Sequence, residues 1–391
     1  MKILYVVNNA AFFCSHRLQL ALEARRRGHE VMLVTGEAGS ARLEVPAVEQ
    51  LRALGIPHLV TRFRSGSVSP LRELAGFLAV IRCMRQWRPD LVHCASPKGL
   101  LYGGLASRLA RQPALVLAVS GMGSLFTKSG GALRTLLRWG YLKLVRLAYR
   151  HWNRRVIVQN GDDQSTIMAA GFAEAKDIRL IPGSGVRLEQ YLPLPLQGRQ
   201  DLVVLPARLL RDKGVEEFVA AARCIRTRGS TWRFALVGTA DYDNPSSIRK
   251  DRVEEWVAEG VVEWWGHRDD MAEVLAQAAI VCLPSYREGM PKALLEAAAA
   301  GCAVVTTDTV GCRDAIEAGV TGDLVPVRDS GALIHALQAL IDAPERRLAY
   351  GTAGRALAIR KFGLDEVVRA TMDIYDELVD GPAASMHHSP Y

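Results

Sequence analysis

Along the chain, short apolar runs alternate with longer stretches in which apolar residues recur every three or four positions. The first run, Lys2–Val7, leads to Ser15–Arg27, where Leu18, Leu20, Ala21 and Leu22 have helical spacing. Gly28 is the expected helix stop and Glu30–Thr35 the next strand. His58–Arg62, Leu91–Ala95, Ala114–Val119 and Val156–Gln159 continue the series. The pattern restarts beyond a Pro-rich stretch from Tyr191 to Gly198. Asp201–Ala207, Trp232–Gly238, Val261–Trp265, Ile280–Pro284, Ala303–Thr307 and Gly322–Val325 are again short and apolar. Strands alternating with helices predict parallel sheets covered by helices, so the expected class is α/β in two domains with a cleft between them. The expected boundaries are 1–190 and 191–380, with the last helix packing back on the first domain and 381–391 a disordered tail. Open parallel sheets bind ligands at the carboxyl ends of their strands, which is where chemistry is sought.

A length of 391 residues suits two domains, and a composition 49% hydrophobic and 23% charged is globular. No apolar run is long enough to span a bilayer as a simple helix. The first apolar run breaks at Asn8-Asn9, too soon for a signal peptide. Seven scattered cysteines without a C-x-x-C pair argue for a reducing compartment and against a zinc site, so the expected location is cytoplasmic. The net charge of +8 hides an asymmetry. Residues 1–200 hold 28 Lys and Arg against 12 Asp and Glu, while the remainder holds 21 against 29. A basic half suggests an anionic ligand or surface.

Two segments carry candidate chemistry. In Ser285-Tyr-Arg-Glu288-Gly-Met-Pro-Lys-Ala-Leu-Leu-Glu296, a strand leads into a loop, and Pro291 suits the first turn of a helix that Gly301 ends. Gly289 would let backbone N–H groups approach a ligand, and the helix start favours anions. Glu288 and Glu296 could accept hydrogen bonds from sugar hydroxyls. Equally, these carboxylates could merely complement a helix dipole. In Ala207-Arg208-Leu-Leu-Arg-Asp-Lys213-Gly214, Arg208 and Lys213 follow a strand and could clamp a diphosphate, or be two solvated cations.

Taken together, Arg208, Lys213 and the Glu288-x7-Glu296 pair resemble family 4 of the retaining glycosyltransferases, whose fold is GT-B, two Rossmann-like domains with a deep cleft. The resemblance covers nearly the whole chain and is strongest through Ala207–Gly214, Val262–Met271 and Leu283–Val325. These stretches look particularly like the bacterial enzymes that build O-antigen and related glycans on undecaprenyl diphosphate. The resemblance implies that Arg208 and Lys213 hold the donor diphosphate and that Glu288 contacts the donor sugar beside the Gly289-Met290-Pro291 backbone. It further implies that Glu296 binds the ribose, that Gly266-His267-Arg268 lies near the base, and that Gly183-Ser184-Gly185 lies at the hinge near the phosphates. The implied donor is a UDP-sugar carrying a hexose or N-acetylhexosamine. The implied acceptor is a lipid-linked saccharide. Departures fall in the first domain: Val119-Ser120-Gly121 stands where many relatives have a histidine, and Asn8-Asn9-Ala10 replaces a Gly-rich loop. Arg187 stands where an aspartate is usual. In the implied same-face reaction the leaving diphosphate oxygen takes the acceptor proton, with Glu288 positioning rather than attacking. No metal cofactor is expected. Asp241-Tyr-Asp243 has the D-x-D form of metal-dependent transferases, a pattern weak enough to arise by chance.

For the acceptor, Asn9, His16, Arg17, Lys98, Ser120 and Gly121 are candidates, His16, Arg17 and Lys98 being equally readable as loop or cap residues. From Ala132 to Trp152 a helical stripe at 133, 136, 137, 141, 144, 145, 148 and 152 is apolar, while Arg134, Arg138, Lys143, Arg146, Arg150 and Arg154 occupy much of the other face. Like charges one turn apart repel, so an anionic partner is expected, and Trp139, Tyr141, Tyr149 and Trp152 suit a headgroup region. The expected partner is the inner leaflet of the cytoplasmic membrane, with peripheral attachment. A core helix with a solvated basic face is the plainer alternative, and nucleic acid is disfavoured because no binding module accompanies the charge. Competing functions are a nucleotide-sugar 2-epimerase of similar shape, a dinucleotide oxidoreductase, which lacks its G-x-G-x-x-G, and a noncatalytic membrane binder.

Overall fold

Thirteen strands form among the described residues of the computed structural model, which are 1–38, 41–64, 69–121, 132–193, 198–240 and 244–381. Seven belong to one sheet: β1 Lys2–Val7, β2 Glu30–Glu37, β3 His58–Arg64, β4 Leu91–Ala95, β5 Leu115–Ala118, β6 Arg154–Val158 and β7 Ile178–Leu180. Six belong to the other: β8 Gln200–Pro206, β9 Arg233–Val237, β10 Glu263–Gly266, β11 Ala278–Leu283, β12 Ala303–Thr307 and β13 Gly322–Val325. The orders are β3-β2-β1-β4-β5-β6-β7 and β10-β9-β8-β11-β12-β13. Pairing is parallel across the two central junctions, with Tyr5 opposite His93 between β1 and β4, and Val203 opposite Ile280 between β8 and β11. Each sheet thus has the Rossmann order, in which the winding reverses at the junction between its first and fourth strands.

The central strands β1, β4, β8 and β11 are almost continuously buried because both faces of each sheet are covered there. In β8, Val203 and Leu205 enter one core with Phe218 and Phe234, while Leu202 and Val204 enter another with Leu294 and Val281. That alternation follows from the two-residue period of a strand.

Contacts divide the chain into one unit of Met1–Ile181 together with the residues from Val368 onward, and a second of Pro182–Val367. The seam precedes the Pro-rich stretch instead of falling at 190/191. Val186 bridges Gly363, and Tyr191 is buried in the second unit's core, so both belong there. The expected tail lies outside the described residues beyond Gly381.

Three local differences have physical causes. The helix expected over Ser15–Arg27 is two helices, Ala10–His16 and Leu18–Arg26, broken at Arg17 where φ is −131°. Strand β7 has three residues, one of them Arg179, too few to show a period. In helix Ala132–Tyr149, Val145, Ala148 and Tyr149 are buried and Leu144 is 48% exposed; Trp152, placed in the same stripe by spacing, is 51% exposed because the helix ends at Tyr149 and does not carry it round to the core.

Candidate functional site

At the carboxyl ends of β8 and β11, neighbours at the second sheet's reversal point, two loops are tied together. The loop after β8 makes a tight turn, Arg211–Lys213, then Gly214 with φ 71°, and enters helix Val215–Thr227. A Cβ on Gly214 would lie 2.2 Å from the Pro284 carbonyl oxygen, so only glycine lets this turn sit against the end of β11. The Asp212 carbonyl accepts a hydrogen bond from the Tyr286 N–H at 2.8 Å. Ser285 Oγ lies 3.1 Å from that same carbonyl and 2.7 Å from Glu288 Oε1, its one proton serving either. The Lys213 ammonium donates to Glu288 Oε1, and both side chains are largely buried. An ammonium has three donors, so the pairing does not exhaust it.

The segment after β12 backs this loop. Glu288 N–H donates to the Val310 carbonyl at 3.1 Å, and Thr309 Oγ1 donates to the Tyr286 carbonyl at 2.9 Å. Thr307 donates to the Ser285 carbonyl. Cys312 lies beneath, its thiol pushed up to about 12 by burial and then by the Glu288 charge, which makes it a poor nucleophile. The Tyr286 hydroxyl donates to Glu217 Oε1 at 2.6 Å, and burial followed by that bond raises its phenol to about 12. The Arg328 guanidinium stands 4.6 Å over the Tyr286 ring.

Glu296 lies inside helix Lys292–Ala299, with Pro291 as its N-cap, one position earlier than the first turn. Its carboxylate is nearly buried, 3.3 Å from the Lys292 ammonium. Tyr191 bonds to it as well, and burial, then Glu296, raise that phenol. Met290 packs against the core beneath the helix. Gly185 precedes Val186, whose N–H bonds the Phe362 carbonyl at 2.8 Å. Gly266 ends β10; beyond it His267 Nε2 is 3.1 Å from Asp269 and Arg268 pairs with Asp270 at 2.6 Å. Arg208 is exposed on the loop after β8. The arrangement offers cations and carboxylates at one reversal point, which can bind an anion and hydroxyl groups together. Asp241 and Asp243 lie outside the described residues, and among the described residues no cluster of three or more metal-ligating side chains occurs.

The first sheet's reversal point is more self-satisfied. Asn9 caps helix Ala10–His16 by accepting from Phe12 N–H at 2.8 Å. Glu44, which sequence reading passed over, accepts from the Ala10 and Ala11 N–H groups at 2.9 and 3.0 Å. Lys98 is 2.7 Å from Glu73, whose other oxygen accepts from Tyr102. Burial alone would raise the Glu73 carboxyl, but these two bonds outweigh it and hold it below its ordinary value. Arg17 is buried beside Tyr5 and Tyr375, and burial lowers its pKa. His16 stacks on Phe12 with ring centroids 4.6 Å apart. Ser120 and Gly121 follow β5, partly exposed. Of the basic helix, Arg146 is exposed, as is Arg150 just beyond its end, and Lys143 lies 3.4 Å over the Trp139 ring, while the Arg134 and Arg138 side chains lie outside the described residues. No helix among the described residues is long and apolar enough to cross a membrane.

Comparison with known proteins also divides the chain in two. The pattern described as Glycosyltransferase Family 4 matches residues 15–189, and that described as Glycosyl transferases group 1 matches residues 200–343. The chain is 26% identical to the N,N'-diacetylbacillosaminyl-diphospho-undecaprenol alpha-1,3-N-acetylgalactosaminyltransferase of Campylobacter jejuni, over 97% of this chain and 99% of that one. It is 22% identical to the UDP-Gal:alpha-D-GlcNAc-diphosphoundecaprenol alpha-1,3-galactosyltransferase of Escherichia coli, over 85% of each. Among solved structures, Anabaena HepE in complex with UDP superposes with a TM-score of 0.76 at 21% identity, covering 96% of this chain and all of that one. The chain is therefore a glycosyltransferase of GT-B architecture and belongs to the family 4 and group 1 glycosyltransferases that match its two halves.

Proposed function

We propose that this glycosyltransferase moves a hexose or N-acetylhexosamine, with retention, from a UDP-sugar to a saccharide carried on undecaprenyl diphosphate. The observation that carries the donor half is the Lys213–Glu288–Ser285 cluster at the second sheet's reversal point, with the buried Glu296 on the following helix. Likeness over nearly the full length to transferases whose names specify diphosphoundecaprenol substrates supports the acceptor half.

On this reading Lys213 and Arg208 stabilise the charge that grows on the leaving diphosphate, where fixed cations act most strongly. Glu288 accepts hydrogen bonds from the sugar hydroxyls, held by Ser285, and Glu296 does the same for the ribose. The exposed Arg146 of the basic helix and Arg150 just beyond its end would face the anionic inner leaflet, worth about 1 kcal/mol per cation near such a surface.

The test is transfer from a panel of UDP-sugars to undecaprenyl-diphosphate-linked saccharides in excess EDTA. On this reading Lys213 and Arg208 take the place of a metal at the diphosphate, so product should form at the rate seen without chelator. Loss of activity that Mn²⁺ restores would overturn the metal-free part, and free epimerised sugar without transfer would favour an epimerase.

A further inference from the structure

Tyr286, on the loop after β11 and two positions before Glu288, is held from four elements of the second unit. Its N–H donates to the Asp212 carbonyl at 2.8 Å, on the loop after β8. Its carbonyl accepts from Thr309 Oγ1 at 2.9 Å, on the segment after β12. Its hydroxyl donates to Glu217 Oε1 at 2.6 Å, in the first turn of helix Val215–Thr227. The Arg328 guanidinium, from the turn after β13, lies 4.6 Å over its ring. A phenol packed only for its apolar area would be fully buried; Tyr286 is half-buried and fixed by directed contacts instead.

Two of these contacts are made under strain. Arg328 has φ 63°, in the left-handed region that residues with a Cβ seldom enter. Glycine would make the same turn between β13 and helix Ser330–Asp342 without strain. From that turn the exposed arginine reaches back over the Tyr286 ring, where a cation is attracted by the π face. Glu217 gives one oxygen to the Tyr286 hydroxyl, while the other is buried with no hydrogen-bond partner among the described residues. Leaving that oxygen desolvated is unfavourable. Strain kept around one ring marks a place where position matters beyond stability.

We infer that Tyr286 is a positioning residue for Glu288: bonded to Glu217 and covered by Arg328, it holds the loop so that the Glu288 carboxylate meets the donor sugar. This deepens the proposed function and rests on it for the sugar at Glu288. Only Arg287 separates Tyr286 from Glu288, and Ser285, on its other side, lies 2.7 Å from the Glu288 carboxylate. Movement at Tyr286 therefore displaces the carboxylate and its partner together. Glu296, offered to the ribose, belongs to the following helix and is not displaced with them. The effect should fall on turnover and spare nucleotide affinity.

The test measures three quantities on the full chain: hydrogen exchange of the Glu288 amide, which is bonded to the Val310 carbonyl, UDP affinity, and kcat with the UDP-sugar that supports transfer. Tyr286→Phe keeps the ring and removes the bond to Glu217. It should speed exchange at Glu288 about tenfold, lower kcat about tenfold and leave UDP affinity within about twofold of wild type. Arg328→Gly removes the cation and relieves the turn, so kcat should fall about threefold while the thermal midpoint stays at or above that of wild type. Arg328→Lys, which keeps a cation over the ring, should retain most of the rate. Unchanged exchange at Glu288 in Tyr286→Phe would overturn the inference, whether or not the enzyme transfers sugar. So would faster exchange without loss of kcat, or a midpoint that falls with kcat in Arg328→Gly, which would make the ring contact structural alone. A wild type that transfers sugar from no UDP-sugar, with Glu288 still loosened by Tyr286→Phe, would sink the proposed function and leave the positioning of Glu288 standing.

Discussion

Lys213→Met should lower kcat a hundred- to a thousandfold, the range found when one fixed donor is removed from a developing negative charge. The side chain is tied to Glu288 on the neighbouring strand's loop, so its position is set before any ligand arrives. Methionine keeps most of the length and the apolar stem but removes the charge. Glu288 retains Ser285 as a partner and stays ordered, which limits collapse of the loop. Lys213→Arg, which keeps the charge, should recover part of the loss. Steady-state kinetics with circular dichroism of each variant checks this. A folded Lys213→Met enzyme within tenfold of wild type would remove Lys213 from the chemistry.

The second large effect should come from a single methyl group at Gly311. This residue has φ 79°, and a Cβ there would lie 2.5 Å from the Gly289 carbonyl oxygen and 2.7 Å from that of Glu288. The left-handed conformation alone costs an alanine about 1–2 kcal/mol, and the backbone contact adds to it. Backbone cannot rotate aside as a side chain can, so the Glu288–Gly289 loop must move. Gly311→Ala should cut kcat/KM at least about a hundredfold, since displacing a positioning group by about 1 Å costs that much. Its thermal midpoint should fall by only a few degrees, consistent with the local strain. Near-normal activity would mean that the loop tolerates displacement and that Glu288 is not held to a tight position.

The strands were legible to the residue where both flanks are sharp: Lys2–Val7, Ala303–Thr307 and Gly322–Val325 coincide with β1, β12 and β13. For β1 and β12, apolar runs that end at Asn8 and Asp308 leave little freedom of placement, since both faces are buried. The union of Lys213 with Glu288 was a different matter. Seventy-five positions separate them, and only the strand order that puts β8 beside β11 brings them together. Family resemblance named both residues for one donor site, but their direct pairing was not legible in the sequence. Partners set by loop conformation were not legible at all. Ser285 stood in the quoted motif without a role, and Glu217, the partner of Tyr286, carried no signal. Cations were the least transparent. Lys98 and Arg17 look available in one dimension, yet one is paired with Glu73 and the other is buried beside Tyr5 and Tyr375. Their partners come from elements remote in sequence, so charge alone could not tell a binding residue from a structural one.

Calorimetric titration with UDP in EDTA, on the wild-type protein and on Glu296→Ala, tests the donor site most directly. Glu296 is held nearly buried by Lys292 and Tyr191, and its carboxylate is the group offered to the ribose. Metal-free binding by the wild type, weakened about ten- to a hundredfold in the variant as expected for loss of a charged hydrogen-bond partner, is the predicted result. Wild-type protein that binds no UDP without a metal, or a variant that binds as tightly as wild type, would contradict it.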